Sequence, residues 1–315
     1  MTPAVREGYR RARLITRSHA KSFYFASALL FGARRRATFA LYAFCRHLDD
    51  VVDKGPEELL AERLSQARAV VASLYASPGE VTEAPPGGPW HPAEIAALQD
   101  TVRRFRIPEA PFLDLLLGME METRTRRYMR FSELDRYCYC VAGTVGLMLC
   151  PVLGVRDSRA LPAAADLGRA MQLTNILRDV REDLERDRVY LPQDELAAFG
   201  LTEADLRSGQ VDDRIRAFFR CQITRARALY ARAGLGIGYL EGFGTQRMVR
   251  LMGALYSGIL VAIERQDYDV FSARARVSWT WKLRLAARAL LRPKTLMTAP
   301  ATEVRIPLLP TETPH

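Results

Sequence analysis

The stretch FCRHLDDVVD, Phe44 to Asp53, sets three carboxylates and an arginine among apolar residues at helical spacing. Asp49 and Asp53 stand four apart and share a helix face, with Asp50 at its edge. Like charges so placed repel. The apolar neighbours Leu41, Phe44, Leu48, Val51 and Val52 raise the cost, so the cluster calls for a neutralising cation. Alone, such a run is most simply a solvated helix face. A second run, MQLTNILRDVREDLERDRVYLP from Met171 to Pro192, alters that reading. Asn175, Asp179 and Asp183 follow at i, i+4 and i+8, and Gln172 lies three before Asn175, so four polar side chains form one stripe up a helix. The stripe offers oxygen donors and no Cys or His, which suits a hard divalent cation, Mg²⁺ before Mn²⁺, with positions left for water and phosphate.

Two such stripes, about 130 residues apart, can face each other across a helical bundle and hold metal ions between them. Arg46 beside the first and Arg178 within the second are the cations that a bound diphosphate needs. Each arginine could equally pair at i+4, Arg46 with Asp50 and Arg178 with Glu182. Other acidic architectures do not fit: a di-iron bundle requires Glu-x-x-His pairs, and an EF-hand requires a D-x-D-x-D-G loop. The glycine cluster GLGIGYLEGFG, Gly234 to Gly244, lacks the third glycine and the preceding strand of a dinucleotide fingerprint, and reads as a helix interruption.

The elements that must position these stripes are helices. Alternating strand patterns bounded by turn pairs are absent, and apolar residues recur at helical spacing almost throughout. Breaks are expected at Gly32, Lys54-Gly55-Pro56, Ser77 to Pro92, Ile107-Pro108, Pro151 to Asp157 and Leu191-Pro192. The chain is read as one all-α domain over residues 1–292, with a Pro/Thr-rich tail, 293–315, expected to be flexible. The uncharged run Tyr137 to Val155 approaches spanning length, but Gly143, Gly146 and Pro151 make it a core helix in preference to a membrane span. No export signal is read at the N-terminus, and five cysteines without a C-x-x-C pair fit a reduced, cytoplasmic compartment. The net charge of +10 points to anionic partners. Nucleic-acid binding would account for that charge but for neither acidic stripe.

Five motifs in order, HAKSFYFAS, LYAFCRHLDDVVD, YCYCVAGTVG, QLTNILRDVREDLERDRVYLP and ERQDYDVFSARA, make the chain resemble the phytoene synthase and squalene synthase family of head-to-head trans-isoprenyl diphosphate synthases, from about Ser18 to Ala289. The AGTVGLM, LTNILRDV and YDVF stretches are most similar to phytoene synthases. The resemblance implies an isoprenoid synthase helical bundle with a central cavity. It implies Mg²⁺, with Mn²⁺ as a substitute, held by Asp49 and Asp53 from one side and by Asn175, Asp179 and Asp183 from the other. It implies diphosphate contacts from His19, Arg46, Arg178, Tyr256 and Arg274, and places Tyr42, Tyr137 and Gln172, with Tyr256, close to the reacting carbons. The chain departs from the family pattern at Glu122, where aspartate is usual, and at Asp187, where glycine is common.

By that resemblance the substrates are prenyl diphosphates. Two geranylgeranyl diphosphates would give phytoene without NADPH, and the alternative is squalene, dehydrosqualene or hydroxysqualene formation from farnesyl diphosphate. Leaving diphosphate and Tyr137 both stand as terminating bases, and Phe25, Ala26 and Val141 are candidates to line a prenyl tunnel. The segment Arg274 to Lys294 has seven basic residues, no acid, and Trp279 and Trp281. It reads either as a helix lying peripherally on an anionic membrane or as an ordinary basic, solvated helix. Oligomeric state is not legible in these residues.

Overall fold

The structure, a computed structural model, describes residues 1–53, 57–76 and 88–291. They form fifteen α-helices and no strand, only two isolated bridges, Arg127–Val189 and Val155–Leu240. The helices are α1 (Pro3–His19), α2 (Lys21–Ala26), α3 (Gly32–Asp53), α4 (Leu60–Tyr75), α5 (Pro92–Phe105), α6 (Ala110–Arg124), α7 (Phe131–Cys138), α8 (Thr144–Leu153), α9 (Ala160–Arg178) and α10 (Val180–Glu185). They continue with α11 (Gln193–Ala198), α12 (Glu203–Ser208), α13 (Asp213–Gly236), α14 (Phe243–Arg265) and α15 (Trp279–Leu291). The all-α expectation is met, and the expected loops at 54–56 and 77–87 and the tail after 292 lie outside the described residues.

Helix starts follow local chemistry. The Thr2 side chain accepts from Val5 N ahead of Pro3, Asp212 accepts from Ile215 N at 2.9 Å, and His91 with Glu94 forms a capping box ahead of α5. Gly154, at φ +83°, ends α8, so the expected break falls after Pro151, which the helix carries through to Leu153. The glycine cluster interrupts the helices as expected: α13 gives way to a 3₁₀ turn at Ile237–Tyr239, and α14 begins after Gly242.

Two apolar cores flank the centre. One gathers Leu173, Ile176 and Leu177 of α9 with Phe218, Phe219 and Ile223 of α13; the other gathers Leu41, Phe44 and Leu48 of α3 with Phe112, Leu115 and Leu116 of α6. The Phe131–Leu153 rod, which contains a π-helical stretch at Tyr139–Gly143, runs between them. By length and composition it could cross a membrane, yet here it packs on α9. A methyl at Gly146 would stand 2.3 Å from Ala164 O, and one at Gly168 would stand 2.1 Å from Ala142 O. These contacts leave no room for a lipid layer and support the core reading.

A polar tie joins α1, α3 and α5. The buried Glu94 accepts from Arg11 Nε at 2.9 Å and from His47 Nε2 at 2.8 Å. Burial pushes its carboxyl up, but the bonds from His47 and Arg11 outweigh that and hold it below the ordinary glutamate range. The stabilisation is therefore present above the ordinary value of about 4.3 and is lost as pH falls through the lower folded value. Glu94→Gln is expected to cost about 1–3 kcal/mol at neutral pH, with the gap to the parent closing in acid. Urea unfolding at both pH values checks this, and equal stability at neutral pH would remove the tie from the account.

Candidate active site

Six helices carry sequence-identified residues inward: α3 brings Tyr42, Arg46 and Asp49, α9 brings Gln172, Asn175 and Arg178, α14 brings Tyr256, and α1, α7 and α10 bring His19, Tyr137 and Asp183. The second stripe is not one continuous helix, as had been expected. At Asp179 (φ −104°, ψ +13°) the axis breaks between α9 and α10. The i→i−4 bonds from Asp179 N to Asn175 O and from Asp183 N to Asp179 O, both 2.9 Å, persist across the break. The stripe therefore still faces one cavity.

That polar cavity, about 790 Å³, is lined by Asp49, Asn175, Asp179 and Asp183, by Arg46, Arg178 and Arg274, and by His19, Tyr137, Gln172 and Tyr256. Asp53 ends α3, and its side chain lies outside the described residues. A second, largely apolar cavity of about 330 Å³ continues inward, lined by Phe23, Tyr42, Val145, Leu149, Met171 and Met252 among others. The two share His19, Cys45, Val141, Gln172, Asn175 and Tyr256, a collar where a charged head group meets an apolar tail. Tyr42 stands on the apolar side, 5.4 Å from the Phe23 ring, and still feels the Asp49 charge. Of the expected tunnel residues Val141 lines the collar. Phe25 packs instead against Trp279, and Ala26 is buried among Leu30, Leu153 and Met248.

Charge pairing organises the polar cavity. Arg46 pairs with Asp50, the i+4 partner, while its Nε is buried without a hydrogen-bond partner. Arg178 pairs with Asp179 through two bonds of 2.7 and 2.5 Å rather than with Glu182, because the break in the helix turns the adjacent carboxylate toward it. Arg274 reaches the same carboxylate at 2.8 and 2.9 Å. Burial, with the Asp179 charge nearby, pushes Asp183 up to about 7. Tyr137 donates to Glu122 at 3.1 Å, and burial pushes its phenol well above the ordinary range. A neutral phenol already committed as a donor is a poor proton acceptor, which counts against Tyr137 as the terminating base.

The charge-pattern reading passed over several lining residues. Arg186, Arg188, Arg276 and Lys282 also line the polar cavity. Arg188 donates to Glu122 at 2.7 Å, so the longer side chain at this departure from the family pattern is absorbed by an arginine. The run ERDRVYLP could have marked Arg186 and Arg188, since it directly follows the stripe. Lys282, 3.4 Å from Ser22 Oγ, belongs to the segment read as basic and surface-lying, so part of that segment faces the site. Asp187 adopts φ +55°, the conformation that a glycine would supply, and is held there by Arg127 at 2.7 Å and Arg207 at 2.9 Å.

The squalene/phytoene synthase family profile matches residues 16–281. The chain belongs to the squalene/phytoene synthase family. It is 42% identical over 297 residues to a phytoene synthase of Arthrospira platensis, covering 89% of this chain and 92% of the relative. It is 40% identical over 302 residues to a 15-cis-phytoene synthase of Synechococcus elongatus, covering 92% and 94%. Among solved structures, a ligand-bound dehydrosqualene synthase superposes with a TM-score of 0.82 at 28% identity, covering 92% of this chain and 98% of that one. A squalene synthase of Alicyclobacillus acidocaldarius gives 0.72 at 27%, covering 85% and 97%. The expected isoprenoid synthase bundle with a central cavity is thus the fold observed. The family in general consists of divalent-metal-dependent prenyl transferases acting on prenyl diphosphates, and this chain is a prenyltransferase.

The donor set fits a hydrated ion. Among the described residues no three Asp, Glu, His or Cys side chains converge into a closed cage. Mg²⁺ does not demand one: it keeps several waters and binds through one or two carboxylates plus substrate phosphates. Asp49 and the Asp179/Asp183 pair, which line one polar cavity, offer that arrangement.

Proposed function

We propose that the protein condenses two geranylgeranyl diphosphates head to head, through prephytoene diphosphate, to phytoene and diphosphate, the entry step to C40 carotenoids. The observation that carries this reading is the union of a charged cavity with a deep apolar one through a single collar, together with extended identity to phytoene synthases. Mg²⁺, held by Asp49, Asp53, Asn175, Asp179 and Asp183, would supply Lewis-acid stabilisation of departing diphosphate.

The chain's own residues do the rest. Arg46, Arg178 and Arg274, with His19 and Tyr256, hold the diphosphates at the collar. Arg46 Nε is a buried donor awaiting an acceptor, and Arg178 and Arg274 can exchange Asp179 for phosphate oxygens. The apolar walls exclude water from the allylic cation that forms when the C–O bond of the first substrate breaks. Phe23 and Tyr42 present ring faces that stabilise positive charge without bonding to it. The second molecule's double bond closes the cyclopropane with loss of a proton. In the second ionisation the ring opens, diphosphate leaves, and a final proton loss to departed diphosphate forms the central double bond. No hydride is needed, hence no NADPH.

A second reading takes C15 farnesyl diphosphate to a C30 product, favoured by the superposition on a dehydrosqualene synthase. Purified protein with Mg²⁺ and each diphosphate, with and without NADPH, separates the two. A C40 product from the C20 substrate alone is expected, and a C30 product exclusively from the C15 substrate would overturn the assignment.

Removing divalent metal with a chelator should abolish turnover, and Mg²⁺ should restore it. Because Asp183 rises to about 7 in the fold, it is largely protonated below that value and costs stability as pH rises above the ordinary aspartate range. A cation binds the ionised form, so Mg²⁺ should raise the unfolding temperature more at pH 8 than at pH 6. A shift independent of pH would separate Asp183 from the metal site.

A further inference from the structure

The three most exposed large apolar side chains among the described residues are Phe31 (81%), Phe243 (80%) and Leu235 (78%), and they stand at one end of the bundle. The turn before α3, the start of α14 and the end of α13 meet there. Arg34 donates to Glu241 at 2.8 Å, a methyl at Gly244 would stand 2.7 Å from Leu29 O, and one at Gly236 would stand 2.1 Å from Ala163 Cβ. Leu161, at the start of α9, adds a fourth exposed apolar residue. This is the end opposite the carboxylates. From Ala160 to Arg178 the 19 residues of α9 span about 28 Å, with Ala160 lining the apolar cavity and Arg178 the polar one. Gly236, Ile237 and Leu240, beside the exposed residues, line the same apolar cavity.

The rim of the patch is basic. Arg34, Arg156, Arg159 and Arg247 lie in these segments against only Asp157 and Glu241, and both of those are paired with arginines, whereas Arg35 and Arg36 turn away onto the Tyr24, Phe39 and Tyr9 rings. An apolar patch ringed by arginine is complementary to an anionic bilayer, whose acyl region takes the Phe and Leu side chains and whose headgroups take the guanidinium groups. The segment expected from sequence to lie on a membrane is less free to do so. Leu285 and Ala286 of α15 are buried with Met248 and Leu251 of α14, Trp281 lies under Arg265 at 4.5 Å, and Arg274 and Lys282 line the site.

We propose that this end, with Phe31, Leu235 and Phe243 as its anchors, docks the protein on an anionic lipid surface and sets the far end of the apolar cavity against the bilayer. The functional meaning rests on the reaction proposed above, whose C40 product is a water-insoluble hydrocarbon. The test is co-sedimentation of the full chain with phosphatidylcholine vesicles, with and without phosphatidylglycerol, alongside product formation in detergent. Binding is expected to require phosphatidylglycerol. The triple variant F31S/L235S/F243S should bind at least about a hundred-fold more weakly, with turnover in detergent and the thermal melt unchanged. W279S/L283S should bind as the parent does. Loss of binding in W279S/L283S with retention in the triple variant would overturn the assigned face in favour of α15. A dimer that the triple variant converts to monomer, with no vesicle binding by the parent, would replace lipid by a second copy of the chain. Vesicle binding by a parent protein that forms no C40 product would sink the proposed reaction while leaving the docking face in place.

Discussion

Asp179→Asn is expected to lower kcat by about 10²–10³-fold with helical content unchanged, and Asp49→Asn by a similar factor. Both carboxylates line the polar cavity from different helices, so either change removes a formal charge available to a bound cation while keeping the side-chain volume. The Asp179 change should also alter binding. Asp179 is the shared partner of Arg178 and Arg274, so its neutralisation releases two guanidinium groups toward substrate phosphate. The Asp179 variant should therefore hold diphosphate as tightly as the parent or more tightly, with the loss falling on kcat rather than KM. Steady-state kinetics and inorganic diphosphate titration on both proteins measure the split. Retention of more than a tenth of the turnover in both would remove the carboxylates from the chemistry.

Gly168→Val should be strongly damaging although it lies away from the charged residues. A Cβ there would stand 2.1 Å from Ala142 O and 2.4 Å from its carbonyl carbon, so α9 has to move off the π-helical stretch. A backbone contact offers no flexible side-chain end to swing aside. The expected cost is about 3 kcal/mol, equivalent to a fall in unfolding temperature of roughly 6–12 °C in a domain of this size. Because Ala142 and Gly168 both line the apolar cavity, turnover should fall as well, even below the new melting temperature. A thermal melt within a degree or two of the parent would show that the crossing of the two helices is more compliant than its geometry implies.

Much of this site was legible in the chain because its chemistry is local. Carboxylates at i and i+4 share a helix face whatever the helix packs against, and Asn175, Asp179 and Asp183 kept that face even though the axis breaks between α9 and α10. Gly143 and Gly146, read as marks of a core helix, do lie against α9, but the close crossing with Gly168 is visible only in the fold. The partners of the arginines were less legible. Arg178 was open to a bond with Glu182, but the break turns it to Asp179. Asp187 takes a glycine's conformation because two arginines from distant segments hold it.

What the sequence determined by itself was the helical class, the two acidic stripes and the hard-cation, diphosphate chemistry they imply, together with the resemblance to the squalene/phytoene synthase family. Periodicity and side-chain type are properties of short segments, and short segments carry them intact into the fold. Only the tertiary structure decided that the polar and apolar cavities meet at a collar of His19, Cys45, Val141, Gln172, Asn175 and Tyr256. It also decided that Lys282 faces the site and that Phe31, Leu235 and Phe243 gather at the opposite end. Those residues lie on separate helices far apart in the chain, and their meeting depends on how the helices cross, which is set by the summed packing of every contact surface between them.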